Sequence, residues 1–175
     1  MTIEEMPNEY SGKTVMMPGS YDPITLGHLT QIERAARIFD RVHVVVCINP
    51  EKTYMFSVDQ RVALIRAAVK DIRNVTVSSW DGLVVDFAKN FKVDFILKGI
   101  RNDEDLAYER AQADWNEAHG FTTLFAYATK GTSHISSTLL RDKLKEGRSI
   151  HHLCAPNTEW LIKEYMKDRQ YAPFF

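Results

Sequence analysis

The chain has 175 residues, of which 45% are hydrophobic and 26% are charged, which is the balance of a globular protein that buries one core. Its formal net charge is −1, which argues against a nucleic-acid-binding protein and against attraction to an acidic membrane surface. A polyanionic ligand would therefore need a local group of basic side chains.

Residues 1–12 are predicted to form a loose extension, and residues 13–175 are predicted to form one domain that ends in helices. The extension is acidic and polar, unlike a signal peptide, and no apolar run of the chain has the length of a membrane span. The two cysteines, Cys47 and Cys154, do not suggest a disulfide scaffold or a zinc site. We therefore expect a cytoplasmic protein with no membrane partner and no nucleic-acid partner.

The first half of the predicted domain alternates between short apolar runs and helical patterns. Residues 42–48 are almost continuously apolar, which is typical of a parallel strand buried on both faces. Ser57 and Gln60 form a capping box, which predicts that a helix begins there. The predicted elements are strand 14–17, helix 27–39, strand 42–48, the helix after Ser57, strand 75–77 and helix 83–91.

The second half continues the same alternation. Gly120 and Gly147 are predicted to end two helices, and Asn157 is predicted to cap the last one. The predicted elements are strands 95–97 and 123–127 and helices 103–119, 136–146 and 157–167. The whole pattern predicts an α/β fold: one doubly wound, Rossmann-like sheet of five parallel strands, with helices on both faces and a C-terminal helical segment. Ligands of such sheets bind beyond the carboxyl ends of the strands.

The segment after the first predicted strand has the composition of a phosphate-binding turn. Gly19 lets backbone approach a phosphate, and Gly27 is expected to let the following helix pack closely. His28 falls in the first turn of that helix, where unpaired N–H groups and partial positive charge favour an anion. A turn of this kind on its own is more often only structural, so a second signal is needed.

A second segment of this kind follows the last predicted strand. Residues 135–141 read Ile-Ser-Ser-Thr-Leu-Leu-Arg, and their hydroxyl groups could cap a helix or bind phosphates. Together with residues 18–28, this segment resembles the signature of the nucleotidylyltransferase superfamily, in which the histidine at the position of His28 steadies the α-phosphate. The resemblance implies an enzyme that transfers a nucleotidyl group to a phosphate acceptor.

Four further segments resemble one branch of that superfamily, the phosphopantetheine adenylyltransferases, in which threonine is usual at the position of Thr25. The segments are Asn-Pro-Glu-Lys-Thr-Tyr-Met-Phe at 49–56, Gly-Leu-Val-Val-Asp-Phe-Ala at 82–88, Lys-Gly-Ile-Arg at 98–101 and Asp-Leu-Ala-Tyr-Glu at 105–109. The resemblance spans about residues 15–164. It implies transfer of the adenylyl group of ATP to 4′-phosphopantetheine, giving dephospho-coenzyme A and pyrophosphate.

The resemblance also implies roles for single residues. His28 would stabilise the transition state, and Arg101, the helix start at Ser136 and Arg141 would hold the departing pyrophosphate. The residues implied to bind phosphopantetheine are Ser20, Lys52, Val84 and Lys98. The residues implied to bind ATP are Ser20, Tyr21, His28, Gly99, Ile100, Arg101, Glu109, Thr132, Ser133, His134, Ile135, Ser136, Ser137 and Thr138.

Some positions depart from the usual pattern of this branch. Ser20 replaces threonine and keeps the hydroxyl group, and Leu106 replaces phenylalanine. Near the second motif, Thr132 and His134 replace aromatic residues. The pair formed by Thr138 and Arg141 is more similar to the nicotinamide mononucleotide and cytidylyl branches.

The resemblance further implies Mg²⁺ bound through the ATP phosphates, with no protein side chain as a metal ligand, and a homo-oligomer, namely a hexamer. Trp115, Trp160 and Tyr165 are interpreted as core or oligomer-contact residues. Two alternatives stay open. One is a transferase of the same fold with another acceptor, such as a nicotinamide mononucleotide adenylyltransferase or a CTP-dependent cytidylyltransferase. The other is a non-catalytic nucleotide-binding protein, which would be expected to lose His28 or the basic residues.

Overall fold

The structure is a computed structural model that describes residues 12–170, without the side chains of residues 168–170. Residues 1–11 of the predicted extension lie outside this range. The five strands are β1 (Thr14–Gly19), β2 (Arg41–Cys47), β3 (Val75–Trp80), β4 (Phe95–Ile100) and β5 (Thr122–Tyr127). The helices are α1 (Leu26–Ile38), α2 (Val58–Val69), α3 (Val84–Asn90), α4 (Asp103–Ala118), α5 (Ser137–Lys145) and α6 (Pro156–Gln170).

The strands form one parallel sheet in the order β3-β2-β1-β4-β5. Val15 in β1 lies beside Val42 in β2 on one side and beside Phe95 in β4 on the other. The chain therefore winds outward in one direction from β1 to β3 and then returns to the other side of β1 with β4. The switch point of the sheet lies between β1 and β4.

Successive residues of β1 face opposite sides of the sheet. Val15 and Met17 belong to the larger hydrophobic cluster, whereas Met16 between them belongs to the smaller one. The larger cluster includes buried residues of α1, α2, α5 and α6, and the smaller one includes Phe87 of α3. Helices therefore cover both faces, and the predicted doubly wound, five-stranded fold is confirmed.

Three strands extend further toward their carboxyl ends than predicted, because hydrogen-bonded pairing continues after the apolar run stops. In β4 the pairing continues through Lys98 and Gly99, which lie beside Phe125 and Ala126 of β5. An apolar pattern shows which side chains are buried. Pairing between strands, in contrast, needs only backbone N–H and C=O groups. These extra residues are the ones that reach the ligand edge of the sheet.

The predicted capping box at the start of α2 is confirmed: the Gln60 N–H donates to Ser57 Oγ at 3.2 Å, and the Ser57 N–H donates to Gln60 Oε1 at 3.0 Å. The predicted start of α6 is wrong, because it lies slightly too late in the chain. The helix begins at Pro156, which places Asn157 inside the first turn instead of at the cap. Proline is favoured at the first helical position, where its missing N–H costs nothing.

None of the helices in the described part of the chain combines the length and the apolar character that a membrane crossing requires.

Candidate functional site

A cavity of about 490 Å³ lies at the carboxyl edge of the sheet, at the switch point. It is lined by residues from the end of β1, from the loop after β2, from the end of β4, from α4 and from the start of α5. These elements are distant in sequence, and the parallel sheet places their ends at one edge. The predicted position of the ligand site agrees with the position of this cavity.

The cavity brings together most of the residues that the sequence analysis selected. Those that line it are Ser20, Tyr21, His28, Lys52, Val84, Lys98, Gly99, Arg101, Glu109, Thr132, Ile135, Ser136, Ser137 and Thr138. Four others, Ile100, Ser133, His134 and Arg141, do not line it. Ile100 is fully buried in β4, and Ser133 and His134 are exposed in the turn before α5.

Tyr21 folds back over the turn that follows β1. Its backbone has a positive φ of 48°, and its hydroxyl group donates to the Met17 carbonyl oxygen at 2.9 Å. The ring occupies the space beside Gly19, where an added Cβ would lie only 2.9 Å from a ring carbon. Glycine at position 19 is therefore required by the neighbouring ring. The single hydroxyl proton of Tyr21 is already used within the turn.

Gly27 has a different role from the one expected. A Cβ at this position would lie 3.5 Å from the Ile135 carbonyl oxygen and 3.6 Å from that of Thr132, which are ordinary van der Waals distances. Close packing of the helix start therefore does not by itself demand glycine here. Because Gly27 lines the cavity, the missing side chain leaves more room for a ligand.

His28 completes a capping box with Thr25 at the start of α1, which the sequence analysis did not identify. The Thr25 N–H donates to Nδ1 of His28 at 3.2 Å, and the Thr25 hydroxyl lies 3.1 Å from the same atom. A backbone N–H can only donate, so Nδ1 must be an acceptor and the ring proton must be on Nε2. The cap therefore selects the tautomer in which Nε2 is the donor.

The environment also keeps the His28 ring neutral. Burial is the main cause and the nearby positive charge of Arg101 is the second, and together they lower the pKa of His28 to about 4. The Tyr21 ring and the imidazole pack edge to face, with the ring centres 5.0 Å apart. At neutral pH the cavity therefore contains a fixed, uncharged N–H donor.

Two carboxylates of α4 pair with the basic residues of β4 and of the turn after it. Glu109 Oε2 lies 3.0 Å from Nζ of Lys98, and Asp105 accepts two hydrogen bonds from the Arg101 guanidinium at 2.9 and 3.1 Å. Asp105 and Glu109 are four residues apart and so share one face of the helix. The sequence analysis named Asp105 only as the start of the motif at 105–109 and missed its pairing with Arg101.

The ion pair changes the titration of Asp105. Burial alone would raise its pKa, but the hydrogen bonds from the Arg101 side chain and backbone outweigh burial and lower the pKa. The carboxylate is therefore ionised at neutral pH and holds the guanidinium at the mouth of the cavity. An entering polyanion would meet basic groups that are already ordered.

The start of α5 is fastened to the turn after β1. The Ser136 hydroxyl accepts from the Leu139 N–H at 3.0 Å as the helix cap, and the Ser137 hydroxyl donates to the Pro23 carbonyl oxygen at 2.8 Å. The simple capping role considered for Ser136 is therefore real, and it coexists with a place in the cavity wall. The first N–H groups of α5 lie where an anion could bind.

Arg141 and Asp22 connect the same elements. Nη1 of Arg141 donates to the Asp22 carbonyl oxygen at 2.7 Å, and Arg141 does not line the cavity. The role in holding pyrophosphate that was implied for Arg141 therefore finds no support in this geometry.

The buried Asp22 carboxylate accepts from the Met55 and Phe56 N–H groups, both at 2.8 Å. These hydrogen bonds join the turn after β1 to the loop after β2. The only sequence signal for them was an aspartate inside a proline-rich turn.

Lys52 and Lys98 approach the cavity from different elements. Lys52 is exposed in the loop after β2, and its N–H donates to the Asn49 carbonyl oxygen at 3.1 Å. The side chain of Lys98 is 15% exposed at the end of β4. Val84, at the start of α3, lines the same cavity. The cavity therefore has two basic residues and an apolar residue in its lining, which suits a phosphate joined to a less polar chain.

Comparisons with known proteins agree with this geometry. Residues 16–143 match the cytidylyltransferase-like family. The chain is 46% identical to a phosphopantetheine adenylyltransferase of Bifidobacterium longum over 136 residues, which cover 76% of this chain and 82% of that protein. It is 41% identical to a phosphopantetheine adenylyltransferase of Symbiobacterium thermophilum over 153 residues, which cover 84% of this chain and 92% of that protein.

Two solved structures show the same fold. A protein from Vibrio parahaemolyticus assigned as a nicotinate-nucleotide adenylyltransferase has a TM-score of 0.65 and 21% identity, covering 87% of this chain and 92% of its own. A lipopolysaccharide core biosynthesis protein from Thermoplasma volcanium has a TM-score of 0.50 and 23% identity, covering 68% and 98%. With the sequence identities above, the chain belongs to the cytidylyltransferase-like family and, within it, to the phosphopantetheine adenylyltransferases.

Proposed function

We propose that this chain transfers the adenylyl group of ATP to 4′-phosphopantetheine, giving dephospho-coenzyme A and pyrophosphate. Membership of the family supports this reaction. The observation that carries the proposal is one cavity that contains a neutral histidine donor, the N-terminus of α5 and two lysines. These groups match the needs of a reaction between two polyanions.

The reaction is a direct displacement at phosphorus. An oxygen of the acceptor phosphate attacks the α-phosphorus of ATP, and the bond from that phosphorus to the bridging oxygen of the β-phosphate breaks. The electron pair leaves with pyrophosphate. No side chain needs to form a covalent bond, so the protein contributes by alignment and by stabilising the charge that develops on the phosphate oxygens.

The donor nucleotide is held at the side of the cavity formed by α1 and α5. His28 would donate through Nε2–H to an α-phosphate oxygen, because Nδ1 is committed to the helix cap. The N–H groups at the start of α5 and the guanidinium of Arg101 would hold the β- and γ-phosphates. The tautomer of His28 is fixed before the substrate arrives, so no reorientation is needed during the reaction.

The acceptor would occupy the side of the cavity that contains Lys52, Lys98 and Val84. The lysines offset the repulsion between the acceptor phosphate and the triphosphate, and they bind as point charges. Val84 would contact the pantetheine arm. Glu109 lies beside Lys98 and keeps its ammonium group in the cavity when no phosphate is bound.

Magnesium would enter as part of the MgATP substrate. Among the described residues, no group of three or more His, Cys, Asp or Glu side chains is arranged to hold a metal ion. The cavity's carboxylates, Asp105 and Glu109, are paired with basic groups, and the hydroxyl groups of Ser20 and Thr138 are additional oxygen donors. This set fits a cation that keeps much of its water shell. When bound, the ion would neutralise part of the triphosphate charge.

The first prediction concerns the transition state. The His28→Ala variant should lower kcat by roughly 10³-fold, the range expected for loss of one donor to a developing oxyanion, and should leave the Kd for ATP within a few-fold. Steady-state kinetics and calorimetric titration with ATP measure the two effects. His151→Ala is the matched control, because His151 is exposed and does not line the cavity. Turnover of His28→Ala at the control's rate would refute the role.

The second prediction concerns the proton on His28. Nitrogen NMR of the unligated protein should show the Nε2–H tautomer of a neutral ring at pH 6, with protonation only near pH 4. Because the unfolded chain takes up this proton at a higher pH, this group should make the fold more stable as the pH rises from about 4 toward 6.5. A titration midpoint near 6.5, or an Nδ1–H tautomer, would contradict the assignment. The His28→Gln variant identifies the signal.

The third prediction concerns the acceptor. Lys52→Met and Lys98→Met should each raise the KM for phosphopantetheine tenfold or more, equivalent to at least about 1.4 kcal/mol, and leave the KM for ATP within a few-fold. Lys130→Met is the control, because Lys130 is exposed and does not line the cavity. The Lys98→Met variant also leaves the Glu109 carboxylate without its partner. Combining Lys98→Met with Glu109→Gln tests whether that unpaired carboxylate causes the rise in KM.

Two outcomes would overturn parts of this assignment. If both lysine variants weaken ATP and spare phosphopantetheine, the donor and acceptor sides are reversed. If neither lysine matters and the wild-type protein uses nicotinamide mononucleotide well, the proposed acceptor is wrong, and only transfer of the adenylyl group is retained.

We also propose that the protein works as a cytoplasmic homohexamer. Trp115 and Trp160 are 41% and 64% exposed, which supports contacts between subunits. Tyr165 instead packs against the larger core cluster. Light scattering should give about six times the 20.1 kDa mass of one chain. A particle of the single-chain mass at working concentration would refute the proposal.

A further inference from the structure

Arg61 is a buried arginine in the first turn of α2 that the catalytic scheme above does not use. It is 1% exposed and is the largest of the fully buried side chains in the described part of the chain. Its Nη1 donates to the Ser20 carbonyl oxygen at 2.8 Å. Its guanidinium carbon lies 3.9 Å from the centre of the Tyr54 ring, a cation–π contact. One side chain therefore touches both the turn after β1 and the loop after β2.

The charge of Arg61 has no carboxylate partner within residues 12–167. Its Nε is buried and has no hydrogen-bond partner. Burying a charge without an ion pair is costly, and a well-packed apolar side chain of similar volume often gives an equally stable or more stable fold. Stability alone therefore does not explain an arginine at this position.

The two segments that Arg61 joins both line the cavity. Ser20 belongs to the turn predicted to bind phosphate, and Tyr54 belongs to the loop that contains Lys52, the residue assigned to the acceptor phosphate. Tyr54 in turn orders that loop, because its hydroxyl accepts from the Asn49 N–H at 3.3 Å. Arg61 thus connects the two phosphate sites through one rigid, planar group.

We propose that Arg61 is a positioning residue. Through its contacts with Ser20 and Tyr54 it sets the distance between the phosphate-binding turn after β1 and the loop after β2 that contains Lys52. An in-line displacement needs the attacking oxygen close to phosphorus and aligned with the leaving group, and a misplacement of about 1 Å can cost roughly 100-fold in rate. Lysine could reach Ser20 but could not stack on the ring as a planar group. The inference rests on the proposed function for its kinetic test only.

Kinetics with four variants test this role. Arg61→Met should lower kcat by roughly 10-fold to 100-fold while the Kd for ATP changes less than threefold. Tyr54→Leu, which removes the ring, should behave similarly, and Tyr54→Phe, which keeps it, should lose less. Arg61→Lys should restore kcat only in part. Because the arginine acts through Tyr54, Arg61→Met combined with Tyr54→Leu should lose little more than either single variant.

A matched control lies five residues further along α2. Arg66 is exposed, and its Nη2 donates to the Val77 carbonyl oxygen at 3.1 Å, away from the cavity. Arg66→Met should keep wild-type kcat. If Arg61→Met and Tyr54→Leu both match this control, or if their losses multiply, positioning through Tyr54 is refuted. Complete rescue by Arg61→Lys would show that charge alone matters. If Arg61→Met does not fold, the Tyr54 variants decide.

Hydrogen–deuterium exchange separates this inference from the proposed reaction. In the unligated protein, amide exchange over residues 49–56 should be faster in Arg61→Met and in Tyr54→Leu than in wild type and in Arg66→Met. This readout needs no substrate. If the wild type does not adenylate phosphopantetheine but the loop exchanges faster in both variants, the reaction is wrong and the connection stands. Unchanged exchange in both variants would overturn the connection.

Discussion

The reversal of strand order between β1 and β4 is the constraint on which the rest of the site depends. On either side of this point the connections leave the sheet toward opposite faces, so the end of β1 is not covered by its own crossover. Two helix starts and the end of β4 can therefore meet there. The turn after β1 fills the base of this space and is fastened by α5 through Ser137 and by the loop after β2 through Asp22.

A chain with a formal charge of −1 must still hold two polyanions side by side. The structure achieves this with local charge. Lys98 and Arg101 reach the cavity from β4 and its following turn, and each has a carboxylate of α4 as its partner. The carboxylates keep the long basic side chains ordered, and they keep the unligated site close to neutral. When substrate binds, its phosphates replace these carboxylates as partners of the basic side chains. Because folding has already ordered those side chains, binding has to fix less of their conformational entropy.

Much of the fold and part of the site followed from local sequence patterns. Apolar periodicity gave five strands and six helices, and the glycines at 120 and 147, with φ of +85° and +65°, follow the helices that they were predicted to end. The phosphate turns were recognisable because their chemistry lies in consecutive residues. Periodicity was weakest at the ends of β1, β3 and β4, where backbone pairing outlasts the apolar run.

The rest of the site depends on contacts between segments distant in sequence. Arg61 lies in an ordinary amphipathic helix, and nothing in its neighbours shows that it is buried under Ser20. Arg141 ended a motif that suggested phosphate binding, but the packing of α5 directs it to the carbonyl oxygen of Asp22. The pairing of Asp105 with Arg101 required the turn between β4 and α4. Such contacts arise only when the chain has folded, so a linear pattern cannot specify them.

The capping box at the start of α1 joins two properties that are usually separate. The same ring nitrogen of His28 closes the first helical turn and, by accepting there, decides which nitrogen carries the proton. If that turn frays, the ring loses the constraint on its tautomer as well as its position. The role proposed for His28 would therefore couple catalysis to a local opening of one helix end, which needs far less free energy than global unfolding. Opening of this helix start is faster than global unfolding, and each opening would interrupt catalysis.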